Sequence, residues 1–341
     1  MTLSPDQAPD QAPDQSAIRS LVQFEEGGRR GVAALDASGA ARRVEGASST
    51  RALALEAIAA GQALAAMAQA RLGGAVDLSA VRLLCPIDHE DAAHLLVAGT
   101  GLTHLGSAEG RDKMHKAAAA GELTDSMRMF LMGVEGGKPA DGGIGAQPEW
   151  FYKGDGQSLI HPGEDFAMPA FAEDGGEEPE VAGIYLIDAD GTPVRLGFAL
   201  GNEFSDHVTE RGNYLWLAHS KLRQASLGPE LLLGDLPDDL RGTSRIVRNG
   251  ETVWERPFLS GETNMSHRID NLEHHHFKYG LFRRPGDIHV HFFGTATLSF
   301  SDGFATQEGD VFEVEAAPFI LPVRNGLRRA ADEGQTRVKV L

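Results

Sequence analysis

The sequence predicts an α+β or β-roll architecture, and three observations predict it. From Val81 onward strand-like segments dominate and do not alternate regularly with helices, as a doubly wound parallel sheet would require. Turn dipeptides such as Asp190-Gly191 and Asn249-Gly250 separate those segments. Glycine accounts for 41 of 341 residues, which suits a fold with many tight turns.

The elements follow in order. "MTLSPDQAPDQAPDQSA" is a Pro-Asp-Gln-Ala repeat with no basic or apolar region, so it reads as a disordered tail over residues 1–16, not a signal peptide. Residues 17–80 read as a small N-terminal α/β unit. "SLVQFEE" and "GVAALDA" suit two strands about a Gly-Gly turn, and "SSTRALALEAIAA" supplies a Ser/Thr cap and a helical period. At Val81 the texture changes, and residues 81–341 read as the larger domain. "HLLVAGTGLTH" is a strand entering a glycine loop, with a helix expected near 108–120, and "GVEGGKPADGGIGAQPEW" is a connector. The β-rich remainder is interrupted by helices expected near 214–223 and 265–277.

Composition narrows the function. The net charge is −18, so the surface repels phosphates, and nucleic acid and anionic membranes are not expected partners. A small anionic substrate needs only a local positive site and stays open. The most apolar stretch, "RALALEAIAAGQALAAMAQARL", carries Arg51, Glu56, Gln62 and Gln69 and reads as a packed helix, not a membrane span. A lone cysteine, Cys85, precludes an intrachain disulfide and suits a reducing, cytoplasmic setting.

Carboxylates carry the clearest chemistry. In "EEPEVAGIY" Glu178 and Glu180 lie two residues apart on a strand, hence on one face and about 7 Å apart at Cα, within reach of one cation. The pattern by itself favours a solvated strand start for the same acids, since Asp and Glu are mostly exposed. Glu203, in "LGNEFSDH", follows a Gly-Asn dipeptide expected to form a bulge or a turn that re-aims it. Three carboxylates would make an oxygen-only site for Mg²⁺ or Mn²⁺. Zinc is less suited, with no cysteine cluster and no HExxH.

Other motifs are weaker. Gly99-x-Gly101 opens like a dinucleotide loop, but His104 stands where the third glycine belongs. His104 could be a presented catalytic imidazole or a loop histidine in water. His274, His275 and His276 diverge by about 100° each on a helix and do not readily share an ion. Lys221 and Arg223 suit either a solvated face or an anion site. The absence of GxSxG, and of a cysteine with a partner, gives acyl-enzyme chemistry no support.

The order of "GxxxTH" at 99–104, "EWFYKG" at 149–154, "EPEVAGIY" at 178–185, "FALGNEFSDH" at 198–207, "LAHSKLRQASLGPEL" at 217–231 and "RPGDIHVHFFGTAT" at 284–297 resembles the fumarylacetoacetate hydrolase superfamily, nearest its bacterial sugar-acid branch. The resemblance covers Val81 to the C-terminus. It implies a mixed β-sandwich roll, a homodimer, and Mg²⁺ or Mn²⁺ held by Glu178, Glu180 and Glu203, the last standing where the family usually has Asp. It implies a 2-keto acid substrate, with Lys153, His219 and Thr295 as substrate-binding positions.

The family's hydrolases pair a loop His with a Glu three residues later. Here that position is Ser107, and Glu109 lies two further on. The family's usual Arg after the third ligand is replaced around Asp206-His207, and His219 stands where a Lys is usual, with Lys221 two residues on. The resemblance therefore implies dehydration of a 2-keto-3-deoxy sugar acid, a pentonate giving 2,5-dioxopentanoate, with Lys221 or His104 as the base. The alternative is a C–C hydrolase of a 2,4-diketo acid, with His104 and Glu109 activating water. Decarboxylation and non-catalytic sugar-acid binding stand behind these.

Overall fold

The computed structural model describes residues 17–106 and 124–341. The tail expected over 1–16, the helix expected near 108–120, and Ser107 and Glu109 lie outside the described residues.

Two mixed sheets and few helices form the fold. Across the larger sheet the strands run Leu72–Ala75, Ala41–Val44, Arg29–Asp36, Ile18–Glu26, Glu230–Leu232, Pro193–Asn202, Pro179–Ile187, Ile288–Phe292, Leu95–Gly99 and Phe151–Asp155. Most pairs are antiparallel, while Ile288–Phe292 and Leu95–Gly99 run parallel. The second sheet orders Glu251–Ser260, Leu240–Arg248, Val311–Ala316, Val323–Arg329 and Phe166–Met168.

The central strand Pro179–Ile187 is buried along its whole length. Its alternating faces explain this. Ala182, Ile184 and Leu186 pack with Leu53, Ala54 and Met67 of the N-terminal helices, while Val181 faces Phe258 and Val314 of the second sheet. Ser49 caps the helix Thr50–Ala59, its Oγ accepting from the Ala52 amide at 3.1 Å. The expected boundary near residue 80 falls between strands of one sheet. Ile18–Glu26 pairs with both Arg82–Leu83 and Glu230–Leu232.

Two local expectations are corrected. Gly201-Asn202 forms no bulge: Pro179 faces Asn202 and Glu180 faces Gly201 in regular register, and the bulge lies at Ile184/Tyr185. Gly201 is there for space, since a Cβ would sit 2.5 Å from the Phe292 ring. The helix expected over 265–277 is Ile269–Phe277, preceded by a 3₁₀ turn at Glu262–Asn264, and that expected over 214–223 is a 3₁₀ turn followed by the short helix Leu217–Lys221.

Candidate metal centre

The strand register brings the acids together. Pairing of Glu180 with Gly201 leaves Glu178 and Glu203 at adjoining strand ends, and the Glu203 amide donates to the Glu178 carbonyl at 2.9 Å. The Asn202 side-chain oxygen accepts from the Glu178 amide at 3.2 Å. One carboxylate oxygen from each of Glu178, Glu180 and Glu203 lies within 4.8 Å of the other two, and all three residues are buried. Among the described residues this is the only such cluster of potential ligands. The solvated strand start is thus overturned. Glu177 faces away from the cluster and is also buried, accepting from the Ser299 amide and hydroxyl, both at 2.8 Å.

Lysines and a histidine surround the acids. The Lys221 ammonium donates to Glu178 Oε1 and, at 3.1 Å, to Glu203 Oε2, and lies 4.9 Å from the centre of the Phe151 ring. His207 Nε2 is 3.2 Å from Glu178 Oε1. Glu180 Oε2 accepts from the Gly294 amide at 2.6 Å. Lys153 is buried and spends its hydrogens on the carbonyls of Phe204 (2.6 Å) and Lys221 (3.1 Å), so it ties the ligand strand's continuation to the Lys221 helix.

These contacts divide the acids' protonation. Burial opposes charge on Glu178, but Lys221 and His207 outweigh it and hold the carboxyl below its usual range. Burial, then Glu203 and Glu178, push Glu180 well up. Burial raises Glu203 to about 7 against the pull of Lys221 and Lys153. Burial disfavours a charged Lys221, yet Glu178 and Glu203 prevail and keep it an ammonium.

The residues fit a hard divalent cation. The donors are carboxylate oxygens on rigid strand ends, and Glu203 Oε1 is buried with no hydrogen-bond partner among the described residues. A cation would take the place of protons on Glu180 and Glu203. Without it, stability linked to these raised carboxyls is full below about pH 4.5 and is lost as pH rises through their folded-state values. The increase in Tm on adding Mg²⁺ is therefore expected to grow from about pH 5 to about pH 8. Melting curves with and without Mg²⁺ across that range check this, and a pH-independent increment counts against these acids as ligands.

The remaining candidates are distributed around this cluster. Thr295 follows Gly294, is half-buried, and its hydroxyl accepts from the Thr297 amide at 3.1 Å. His104 is buried, not in water. Its Nε2 lies 3.1 Å from Ser260 Oγ and its Nδ1 3.1 Å from Thr103 Oγ1, and burial, then Lys138, pushes it down to about 3. It neighbours Gly294, whose amide donates to Glu180 and whose absent Cβ would lie 3.6 Å from His104 Nδ1. His219 is exposed while Lys221 is buried, because residues two apart on a helix diverge by about 200°. His274 is exposed, His275 meets the Gly145 carbonyl, and His276 is buried against His289.

Glu149 is a residue the sequence reading missed. It is buried, its Oε1 accepts from the Tyr214 hydroxyl at 2.9 Å, and burial raises it to about 7 against that bond and the charge of Lys221. Its signal was present in "AGTGLTH". A Cβ on Gly101 would lie 1.8 Å from Glu149 Oε2, and one on Gly99 would lie 2.6 Å from Glu203 Oε1 and from the Phe151 ring. The two glycines make room for carboxylates, not for a pyrophosphate. Gly99→Ala is expected to cost about 1–3 kcal/mol of stability and to weaken cation binding, checked by denaturant unfolding and Mg²⁺ titration.

No protein-family model matches this sequence, and none of the curated proteins is significantly similar to it. Solved structures are. A crystal form of 2-keto-3-deoxyarabinonate dehydratase is 18% identical, over 92% of this chain and 100% of that one, with a TM-score of 0.67. 2-Keto-3-deoxy-D-arabinonate dehydratase complexed with magnesium and 2,5-dioxopentanoate is 18% identical, over 91% and 99%, with a TM-score of 0.66. Fumarylacetoacetate hydrolase from Exiguobacterium antarcticum is 17% identical, over 92% and 100%, with a TM-score of 0.56. The chain thus shares the fold of these solved structures, a fumarylacetoacetate hydrolase among them.

Proposed function

We propose that this protein, having that fold, is a lyase dependent on Mg²⁺ or Mn²⁺ that dehydrates a 2-keto-3-deoxy sugar acid, a pentonate giving 2,5-dioxopentanoate. The observation that carries the reading is the buried Glu178–Glu180–Glu203 cluster with Lys221 inserted between two of its members. The magnesium and 2,5-dioxopentanoate in a protein of the same fold support it. A divalent cation held by the three glutamates would supply a Lewis acid for the C1 carboxylate and C2 ketone oxygens.

The chain's own groups do the rest. Dehydration removes a proton from C3 and hydroxide from C4, and the resulting 5-hydroxy-2-oxo-3-enoate tautomerises, its C5 hydrogen moving to the carbon chain, to give 2,5-dioxopentanoate. Glu149, titrating near neutrality beside Lys221, is equipped to take the C3 proton. Lys221, held as an ammonium, is equipped to stabilise the enolate and to protonate the departing hydroxyl. A neutral His104 is the other candidate base, His219 and Thr295 are proposed to frame the substrate, and Lys153 to act on it through the segments it ties together. The proposal includes a cytoplasmic homodimer, which light scattering of the purified protein tests for assembly.

The second reading is a C–C hydrolase of a 2,4-diketo acid. A cavity of about 690 Å³ beside Glu149 favours it, since Met129, Trp150, Leu217, Tyr279 and Phe282 line it and suit an acyl chain more than a polyol. A panel of 2-keto-3-deoxy and 2,4-diketo acids, assayed with Mg²⁺ and with EDTA, decides between the two. Semialdehyde formation supports the lyase, release of pyruvate and a second acid supports the hydrolase, and turnover unaffected by EDTA sinks both.

A further inference from the structure

We infer that His207, held by Asp174 and Phe300, is a positioning residue for the metal centre, fixing Glu178 so that its second carboxylate oxygen is presented to the site. The inference rests on the reading of the three glutamates as cation ligands. His207 is buried and opens the short helix His207–Gly212, whose cap is Asp206, with Oδ1 accepting from the Thr209 amide at 3.0 Å. Its Nε2 lies 3.2 Å from Glu178 Oε1 and its Nδ1 3.3 Å from Asp174 Oδ2. Each ring nitrogen faces a carboxylate oxygen, and Glu178 Oε1 already accepts from Lys221, so the imidazole is the donor in that contact.

The ring has one place to be. Phe300 stacks on it with centroids 5.3 Å apart and an interplanar angle of 22°. Behind it, a Cβ on Gly176 would lie 2.7 Å from Nδ1 and 2.8 Å from Cε1, so the chain there must be glycine. Lys221 cannot substitute for this restraint, because it bridges Glu178 and Glu203 and moves with either. Among the three carboxylates His207 contacts Glu178 alone.

Two effects of opposite sign are in play. A positive ring near a cation repels it, whereas a fixed ligand lowers the cost of assembling the site. Asp174 offsets the ring's charge, so orientation decides, and outer partners of this kind are typically worth about 10–100-fold in metal affinity. Phe300 also follows Ser299, which Glu177 holds through two hydrogen bonds. The clamp therefore joins the ligand strand to the segment after the Gly294–Thr295 turn.

The test is calorimetric titration of the full-length protein with MgCl₂, repeated with MnCl₂, for wild type, His207→Phe and Asp174→Ala. Phe keeps the stack on Phe300 and removes the donors and the ring's charge. His207→Phe is expected to bind about 10–100-fold more weakly and, with Asp174 and Glu178 left without their partner, to melt lower than wild type in EDTA. Asp174→Ala, which leaves the ring but frees Nδ1, is expected to lose about 3–10-fold. Unchanged affinity in either folded variant overturns the inference, and Asp174→Ala alone carries the test if His207→Phe does not fold. A wild-type protein that binds neither cation overturns the metal reading itself, and the inference with it.

Discussion

Replacing Glu180 with Gln is expected to abolish turnover and cation binding together, with kcat/KM falling about a thousandfold, equivalent to about 4 kcal/mol. Glu180 is the acid with the least protein counter-charge on it. Glu178 accepts from Lys221 and His207 and Glu203 from Lys221, whereas Glu180, among the described residues, accepts only from the Gly294 amide. Its charge is thus the one most dependent on a cation. Gln keeps the volume and an oxygen for Gly294 but removes the charge, so the fold is retained. Without Mg²⁺ the variant is expected to melt higher than wild type at pH 8, because a buried carboxylate repelled by Glu203 and Glu178 is gone. Activity, Mg²⁺ titration and melting in EDTA check the three effects. A variant that still binds Mg²⁺ as wild type does removes Glu180 from the ligand set.

Lys221→Met is expected to separate chemistry from cation binding. Its kcat should fall about 10²–10⁴-fold, the usual weight of a positioned acid–base group, while Mg²⁺ affinity is kept or improved. The second half follows from charge. Lys221 neutralises Glu178 and Glu203 in the absence of a metal, so it competes with the cation for them. Removing it leaves buried carboxylates unpaired, at a cost of about 3–5 kcal/mol in EDTA that Mg²⁺ should largely restore. If Lys221→Met binds Mg²⁺ far more weakly, the lysine is part of the site's scaffold and not of its acid–base chemistry.

The site residues differed in how legible they were, for reasons that can be stated residue by residue. Glu178 and Glu180 were legible because strand periodicity places i and i+2 on one face. Burial was not, and it separates a ligand pair from a solvated strand start. Lys221 and His219 have similar neighbours in sequence, and only helix geometry against the sheet buries one and exposes the other. Gly99 and Gly101 suggested a nucleotide loop, since sequence reports a missing side chain but not what fills the space. Glu149 and Glu203 fill it. His207 could be named only as a departure from a motif, because its partners, Asp174 and Glu178, lie on other segments.

What the sequence determined by itself is local or additive. Turn dipeptides and strand-dominated texture carry the α+β class, and motif order carries the resemblance through which the fold was expected. The tertiary structure decided everything that depends on neighbours distant along the chain. It set which acids share one buried space, which lysine neutralises them, and which of the two residues in "EEPE" that precede proline is a candidate ligand. Glu177 is bonded to Ser299, and Glu178 is turned to Glu203 and Lys221. The physical reason is that a carboxylate's state depends on burial and on charges a few ångströms away, and these are properties of the packed sheet, not of the residue.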